Sequence, residues 1–116
     1  MKVNRIVSNV YAPNPEKAQA FYRDILGLEL LMDMGWILTF GASTKMSPQI
    51  TVASAGGSYA PVPDLTIEVD DLDQARKRIE AAGIEIEYGP VLEPWGVRRL
   101  FVRDPFGKLI NILTHE

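Results

Sequence analysis

Two asparagines stand in runs of residues that otherwise favour β-strands, and they are the first candidates for chemistry. Asn111 interrupts the apolar run 109–113, and Asn9 lies in the run 6–11. Because side chains alternate across a strand, Asn111 is predicted to point away from its two flanking isoleucines. A carboxamide there can hydrogen-bond a bound molecule, or the two amides can satisfy each other or a water. We interpret Asn9 and Asn111 as ligand-binding residues.

Aromatic side chains could border a small-molecule site, since such sites are mostly apolar with a few well-placed polar groups. Trp95 lies between a proline and a glycine, where its ring could stack on a planar ligand, cap the core or pack against a partner subunit. Trp36 and Phe40 stand at the two ends of one predicted strand, and for Trp36 a core or interface position is the alternative. Further candidates of this kind are Tyr59, Tyr88 and Phe101.

Charged residues offer a second kind of chemistry. Asp64, Glu68 and Glu93 could act as acids or bases if an apolar site raised the pKa of their carboxyl groups. The alternative places Glu68 in solvent or facing a helix dipole, and Glu93 on a loop surface. We predict no catalytic residue but retain Asp64 as a ligand-binding candidate.

Arg98 and Arg99 are adjacent in a predicted strand, so the two side chains point to opposite faces. One of them could bind an acidic ligand, and we take Arg98 as that candidate. The alternative is an ion pair within the protein. Its acidic partners would be Asp70, Asp71 or Glu93.

Composition excludes several classes of function. The chain of 116 residues has a net charge of −3, with 12 basic and 15 acidic side chains, which argues against binding to a nucleic-acid backbone. It has no cysteine, so disulfides, thiolate metal sites and a cysteine nucleophile are excluded. No run approaches the roughly 20 apolar residues of a membrane span, and the N-terminus does not look like a signal peptide. We expect a cytoplasmic protein that binds neither membranes nor nucleic acid.

The first half of the chain is predicted to form a strand, a helix and three more strands. The first strand covers 6–11, and the others cover 28–32, 36–40 and, after a loop over 41–48, 49–53. Asn14 is a good helix N-cap and Gly27 a good terminator. The apolar stripe of this helix, which should lie on a sheet, comprises Ala18, Phe21, Tyr22, Ile25 and Leu26.

The second half repeats this order after a linker over 55–63 that is rich in glycine and proline. Strands are predicted over 65–69, 84–88, 97–103 and 109–113, the final two joined by an Asp-Pro-Phe-Gly turn. Asp71 caps the helix, with Gln74 placed for a capping box. The buried stripe of this helix comprises Leu72, Ala75, Ile79 and Ala82.

An internal repeat follows from this order. The sequence Gly27-Leu28-Glu29-Leu30 after the first helix corresponds to Gly83-Ile84-Glu85-Ile86 after the second. Each half is then one β-α-β-β-β module, about residues 1–54 and 64–116. A single such module cannot bury both faces of its sheet, so the modules should pair. We predict one α+β domain in which paired β-α-β-β-β modules form a cup-shaped curved sheet with helices on its outer face.

The sequence also resembles the vicinal oxygen chelate superfamily, which holds glyoxalase I, the extradiol dioxygenases and the bleomycin resistance proteins. Four segments that span nearly the whole chain carry the likeness. They are FYRDILGL at 21–28, EVDDL at 68–72, PWGVRR at 94–99 and RDPFGKLINI at 103–112. The resemblance implies the paired modules, commonly a homodimer, and a ligand site inside each cup.

Enzymes of that superfamily usually hold a divalent metal on two ligands from each module. The resemblance puts those four positions at Val7, Thr51, Asp64 and Asn111. Only Asp64 would be a good ligand, because valine has no donor atom and threonine and asparagine offer weak neutral oxygens. The one histidine, His115, lies next to the C-terminal residue. We therefore expect no metal and no other cofactor.

The sequence favours a metal-free protein that binds a small aromatic or amphipathic molecule, sequestering or sensing it as the bleomycin resistance proteins do. Its charge of −3 is only mildly suited to a cationic drug. One alternative is a glyoxalase-like or dioxygenase-like enzyme that depends on a metal. Another is an interaction module whose cup is filled by its own side chains.

Overall fold

The computed structural model describes residues 1–43 and 49–116, so the last five residues of the predicted loop 41–48 lie outside the described residues. The chain divides into two compact units. The N-terminal module is Val7–Val62, and the C-terminal module is Pro63–Glu116 together with Met1–Ile6. The first six residues thus group with the second half of the chain, where the Lys2 amide donates to Asp70 Oδ1 (2.7 Å) and the Asp70 amide to the Lys2 carbonyl (3.0 Å).

The strands of the N-terminal module are β1 (Val3–Tyr11, which begins in the other unit), β2 (Glu29–Asp33), β3 (Ile37–Gly41) and β4 (Gln49–Ala53). They lie in the order β2-β3-β4-β1. The β4/β1 pair is parallel, and the other two pairs are antiparallel. The core of the module lies on one face of this sheet, where Leu38, Phe40 and Val52 are buried against the helical segment.

The first helix differs from its prediction. It is a 3₁₀ turn (Pro15–Lys17) followed by a π-helix (Gln19–Ile25), and Asn14 makes no side-chain capping bond. Of the predicted stripe, only Ala18 and Tyr22 pack against the core. The other three residues of the stripe are exposed: Phe21 (51%), Ile25 (72%) and Leu26 (57%).

The strands of the C-terminal module are β5 (Leu65–Val69), β6 (Ile86–Leu92), β7 (Val97–Arg103) and β8 (Leu109–His115). They lie in the order β5-β8-β7-β6, with β5/β8 parallel and the other pairs antiparallel. Its helix, α1 (Leu72–Ala81), covers one face, where Val69, Leu72 and Leu100 belong to the buried core. The α+β class and the two β-α-β-β-β modules are confirmed.

The predicted capping box of α1 is half formed. Asp71 Oδ1 accepts from the Gln74 amide at 3.0 Å, whereas the Gln74 side-chain oxygen has no hydrogen-bond partner among residues 1–43 and 49–116. Leu72, Ala75 and Ile79 face the sheet as predicted, but Ala82 is exposed because α1 ends one residue before it. Within the described part of the chain, no helix has the length and apolar character needed to cross a membrane.

Candidate functional site

The face of the C-terminal sheet that α1 does not cover carries several of the polar and aromatic candidates, Asn111 among them. Residues that alternate with the core residues of β5, β7 and β8 must point to this side. Thr66 lies directly beside Asn111 in the parallel β5/β8 pair, and Phe101 lies beside Asn111 on β7. We call this surface the helix-free face and define it by Thr66, Glu68, Arg99, Phe101, Asn111 and Leu113.

Asn111 occupies the middle of the helix-free face and is only 4% exposed. Its Nδ2 donates to Thr66 Oγ1 at 3.2 Å. Its Oδ1 is buried and accepts no hydrogen bond from any residue that the structure describes. Buried polar atoms are nearly always paired, so an unpartnered amide oxygen on a sheet face is a notable feature.

Arg99 and Glu93 form a buried ion pair at the helix-free face, where Arg99 lies beside Leu113 on β8. Their side chains are 5% and 2% exposed, and Arg99 Nη2 donates to Glu93 Oε2 at 3.3 Å. The Tyr88 hydroxyl donates to the other carboxylate oxygen at 2.7 Å. The interpretation of Glu93 as loop surface is therefore wrong. The turn from Glu93 to Gly96 folds the carboxylate back over β7, since the Glu93 amide donates to the Val97 carbonyl at 2.7 Å.

Three aromatic rings surround the Arg99 guanidinium. Its carbon Cζ lies 4.8 Å from the ring centroid of Phe101, 5.1 Å from that of Trp95 and 5.3 Å from that of Tyr88. Such contacts are favourable because the ring face is electron-rich, and more so when water is excluded. The half-buried Trp95 thus turns its ring toward a cation of the protein.

Gly89 allows β6 to approach β7 closely enough to complete this cluster. Its φ is +76°, and a Cβ atom there would lie 2.4 Å from the Arg99 carbonyl oxygen. Any side chain at this position would push the two strands apart beside Tyr88.

A second group of charges lies further along the helix-free face. The Glu68 carboxylate contacts both His115 Nδ1 and Arg5, whose Nη2 is 3.4 Å from it. The Glu68 side chain is 20% exposed, so it lies partly in solvent and partly against these two bases.

The remaining candidates lie elsewhere. Phe40 is fully buried in the core under the π-helix, so its assignment to the ligand site is corrected: it lies on the same face of β3 as Leu38, which is the helix side. Arg98 points to the opposite face of β7 from Arg99 and pairs with Glu116 at 3.0 Å. It borders a surface depression of about 320 Å³ with Asp70, Asp71, Asp73 and Thr114. Asp64 is exposed, and its Oδ2 accepts from the Leu109 amide at 2.8 Å.

In the N-terminal module, Asn9 is half-buried and lies beside Thr51 in the β1/β4 pair. Thr51 Oγ1 is 2.9 Å from Thr39 Oγ1. Trp36 is half-buried just before β3, and its carbonyl accepts from the Ser54 amide at 3.0 Å. Each module thus has one asparagine beside one threonine in its parallel strand pair. The asparagine lies on β1 in the N-terminal module, whereas in the C-terminal module it lies on β8, the strand equivalent to β4.

The sequence analysis did not identify Thr66; it named Asp64, together with Asn111, as the metal-ligand positions of the second module. The register of the parallel pair places Thr66 beside Asn111 instead. The available signal was the repeat: Asn9 on β1 corresponds to Thr66 on β5, two residues beyond Asp64.

A divalent metal does not fit the four positions that the resemblance assigns. Val7 has no donor atom and is 3% exposed, and the oxygens of Thr51 and Asn111 are neutral. The Asp64 carboxylate already accepts from a backbone amide. Across residues 1–43 and 49–116, no three histidine, aspartate or glutamate side chains come together in a way that could hold a metal ion.

Comparison with solved structures agrees with the fold. The chain is similar to an uncharacterized protein from Methanosarcina mazei (26% identity, 100% of this chain and 95% of that chain, TM-score 0.68). It is also similar to methylmalonyl-CoA epimerase from Mycobacterium tuberculosis (18%, 98% and 87%, TM-score 0.64). A third is a glyoxalase/bleomycin resistance protein/dioxygenase superfamily member from Vibrio splendidus 12B01 (15%, 99% and 100%, TM-score 0.65). The last two identities show the fold alone.

No curated protein matches the chain. The family model of the glyoxalase/bleomycin resistance protein/dioxygenase superfamily matches residues 2–112. This chain therefore belongs to the glyoxalase/bleomycin resistance protein/dioxygenase superfamily.

Proposed function

We propose that the protein binds a small planar or amphipathic molecule on the helix-free face without a metal, and so sequesters or senses it. The observation that carries this proposal is the buried Asn111, whose amide oxygen accepts no hydrogen bond within the described residues. Phe101, which is 1% exposed, lies beside it on β7, and the half-buried ring of Trp95 lies over Arg99. A few polar groups set among aromatic rings are typical of small-molecule sites.

The second candidate function is a metal-dependent reaction of the glyoxalase or dioxygenase kind, which membership of the superfamily favours. It needs ligands that a dication binds well, whereas Thr66 and Asn111 offer only neutral oxygens, and Thr66 Oγ1 already accepts from Asn111 Nδ2. A third candidate is an interaction module whose own side chains fill its site, which the burial of Arg99 and Glu93 favours. The neutral oxygens of Thr66 and Asn111 support the metal-free proposal over the metal-dependent reaction. Asn111 Oδ1, which accepts no hydrogen bond within the described residues, supports it over the interaction module.

The test is a thermal-shift screen of chelator-treated protein against a panel of planar aromatic compounds and peptide antibiotics. A ligand that binds only the folded state raises its melting temperature by mass action. We expect at least one planar aromatic to raise the melting temperature at millimolar concentration. No shift across the panel would contradict the binding role and favour the interaction module.

Metal analysis of protein purified without chelator separates the first two candidates. Stoichiometric zinc, nickel, iron or manganese would contradict the metal-free proposal. We expect sub-stoichiometric metal and an unchanged melting temperature when a chelator is added.

A homodimer is part of the proposal. The exposed side chains of Phe21, Ile25 and Leu26 on the π-helical segment support it, because large apolar residues clustered on a surface often mark protein–protein contacts. Light scattering on the eluting size-exclusion peak should give twice the mass of 12.9 kDa. A single-chain mass at micromolar concentration would contradict the dimer. The cytoplasmic location stays a prediction.

A further inference from the structure

The one histidine of the chain lies in a cluster of charged side chains at the end of β8. His115 Nδ1 is within hydrogen-bond distance of Glu68 Oε1, and Arg5 Nη2 is 3.4 Å from the same oxygen. The Glu68 side chain is 20% exposed, whereas that of His115 is 57% exposed. The carboxylate is thus held within the cluster, while the imidazole ring is open to solvent.

The sheet fixes where the ring and the carboxylate stand. His115 pairs with Val97 on β7, and Glu68 lies on β5, which pairs with β8 on its other side. Side chains that start from neighbouring strands are positioned more precisely than side chains on loops. The contact between His115 and Glu68 is therefore built into the sheet.

This contact decides which ring nitrogen is free to react. An ionised carboxylate only accepts hydrogen bonds, so the neutral ring of His115 must carry its proton on Nδ1. Nε2 then holds the lone pair, on a side chain that a small molecule can reach from solvent. The Glu68 carboxylate also stabilises the positive charge that the ring gains when Nε2 forms a bond, since a hydrogen bond between charged groups is stronger than a neutral one.

We propose that His115 is a nucleophile that accepts the acyl group of small activated esters on Nε2, with Glu68 as its positioning residue. The lone pair of Nε2 attacks the carbonyl carbon, and the phenol oxygen leaves with the electron pair of the broken C–O bond. Water then adds to the acyl carbon, the C–N bond breaks with its electron pair returning to Nε2, and a carboxylate and two protons are released. The reaction consumes only ester and water, and it does not depend on the proposed binding role.

Hydrolysis of para-nitrophenyl acetate by the native protein, followed by the colour of the released nitrophenolate near neutral pH, tests this activity. Because the chain has one histidine, the difference in rate between the native protein and His115→Gln isolates what the imidazole contributes. We expect this contribution to exceed the rate constant of free N-acetylhistidine amide by about tenfold, the effect of one charge-assisted hydrogen bond. A contribution no larger than that of the model compound would overturn the proposal.

Replacing Glu68 separates its positioning role from the simple exposure of the ring. Glu68→Leu removes the acceptor, so the contribution of His115 should fall to the rate constant of the model compound. Glu116→Gln is the matched control: it removes the carboxylate next to His115 in the sequence, but that carboxylate pairs with Arg98 at 3.0 Å, and the rate should not change.

Long-range ¹H–¹⁵N NMR of the neutral imidazole ring gives a readout that does not depend on the rate. The native protein should carry the ring proton on Nδ1, and Glu68→Leu should shift the population toward the form with the proton on Nε2. A native ring protonated mainly on Nε2, or a Glu68→Leu variant that hydrolyses the ester as fast as the native protein, would contradict the proposal. If Glu68→Leu fails to fold, the tautomer of the native ring and its rate against the model compound still decide the outcome.

Discussion

Replacing Glu93 with alanine is expected to lower the free energy of unfolding by about 3–5 kcal/mol, the usual cost of removing one partner from a buried ion pair. Arg99, which is 4% exposed, would lose the Glu93 carboxylate that pairs with its guanidinium. The Tyr88 hydroxyl would also lose its acceptor. Urea unfolding followed by tryptophan fluorescence measures this change.

The neighbouring residue supplies a matched control. Arg98 pairs with Glu116 at 3.0 Å, a shorter distance than the 3.3 Å of the buried pair, but its side chain is 46% exposed and that of Glu116 is 45% exposed. Glu116→Ala should therefore cost under about 1 kcal/mol, because solvent screens exposed pairs. Equal costs for Glu93→Ala and Glu116→Ala would show that burial does not determine the strength of the inner pair.

A double replacement separates pairing from burial. Changing Glu93 to leucine together with Arg99 to methionine removes both charges and should cost less than Glu93→Ala alone. If the double variant were the less stable of the two, the ion pair itself would be strongly favourable.

Replacing Phe101 with alanine is expected to cost about 3–5 kcal/mol, the usual range for deleting a buried phenylalanine ring. Phe101 is 1% exposed, its ring centroid lies 5.2 Å from that of Tyr88, and its face covers Arg99. The variant would leave a cavity next to Asn111 and loosen the cluster that positions Arg99. We therefore expect ligand affinity and stability to fall together.

Phe106 is the control for this prediction, because it is the same residue type on the turn that follows β7 and is 85% exposed. Phe106→Ala should change the free energy of unfolding by no more than about 0.5 kcal/mol. Equal destabilisation by the two variants, measured by the same urea titration, would contradict the burial of Phe101 in the cluster.

Much of the fold was predictable because it depends on local patterns. The strand over 97–103 begins and ends where the sequence predicts, and Asp71 caps α1 through the Gln74 amide. The form of the first helix was not predictable, because Gln19–Ile25 is a π-helix and no pattern of apolar spacing indicates one. The pairing of Tyr88 with β7 was not predictable either, because the register of β6 is irregular beside Gly89.

The site was less predictable than the fold. Arg99 and Glu93 were recognised as one of several possible pairs, but Glu93 was placed on the surface although it is 3% exposed. Phe40 was assigned to the site although it lies in the core. Both errors concern the surroundings of a side chain. Those of Phe40 depend on the helix that covers its sheet face, and those of Glu93 depend on the conformation of the turn after β6.

By itself, the sequence determined the internal repeat, the strand alternation that separates Arg98 from Arg99, and the polar character of Asn111. These are local properties, since the two-residue period of a strand is set by the backbone alone. Only the tertiary structure decided that Thr66 lies beside Asn111, that Glu93 closes over Arg99 within three rings, and that Asn111 Oδ1 finds no donor among residues 1–43 and 49–116. Those contacts join residues far apart in the chain, and strand register and burial select them after the local elements have formed.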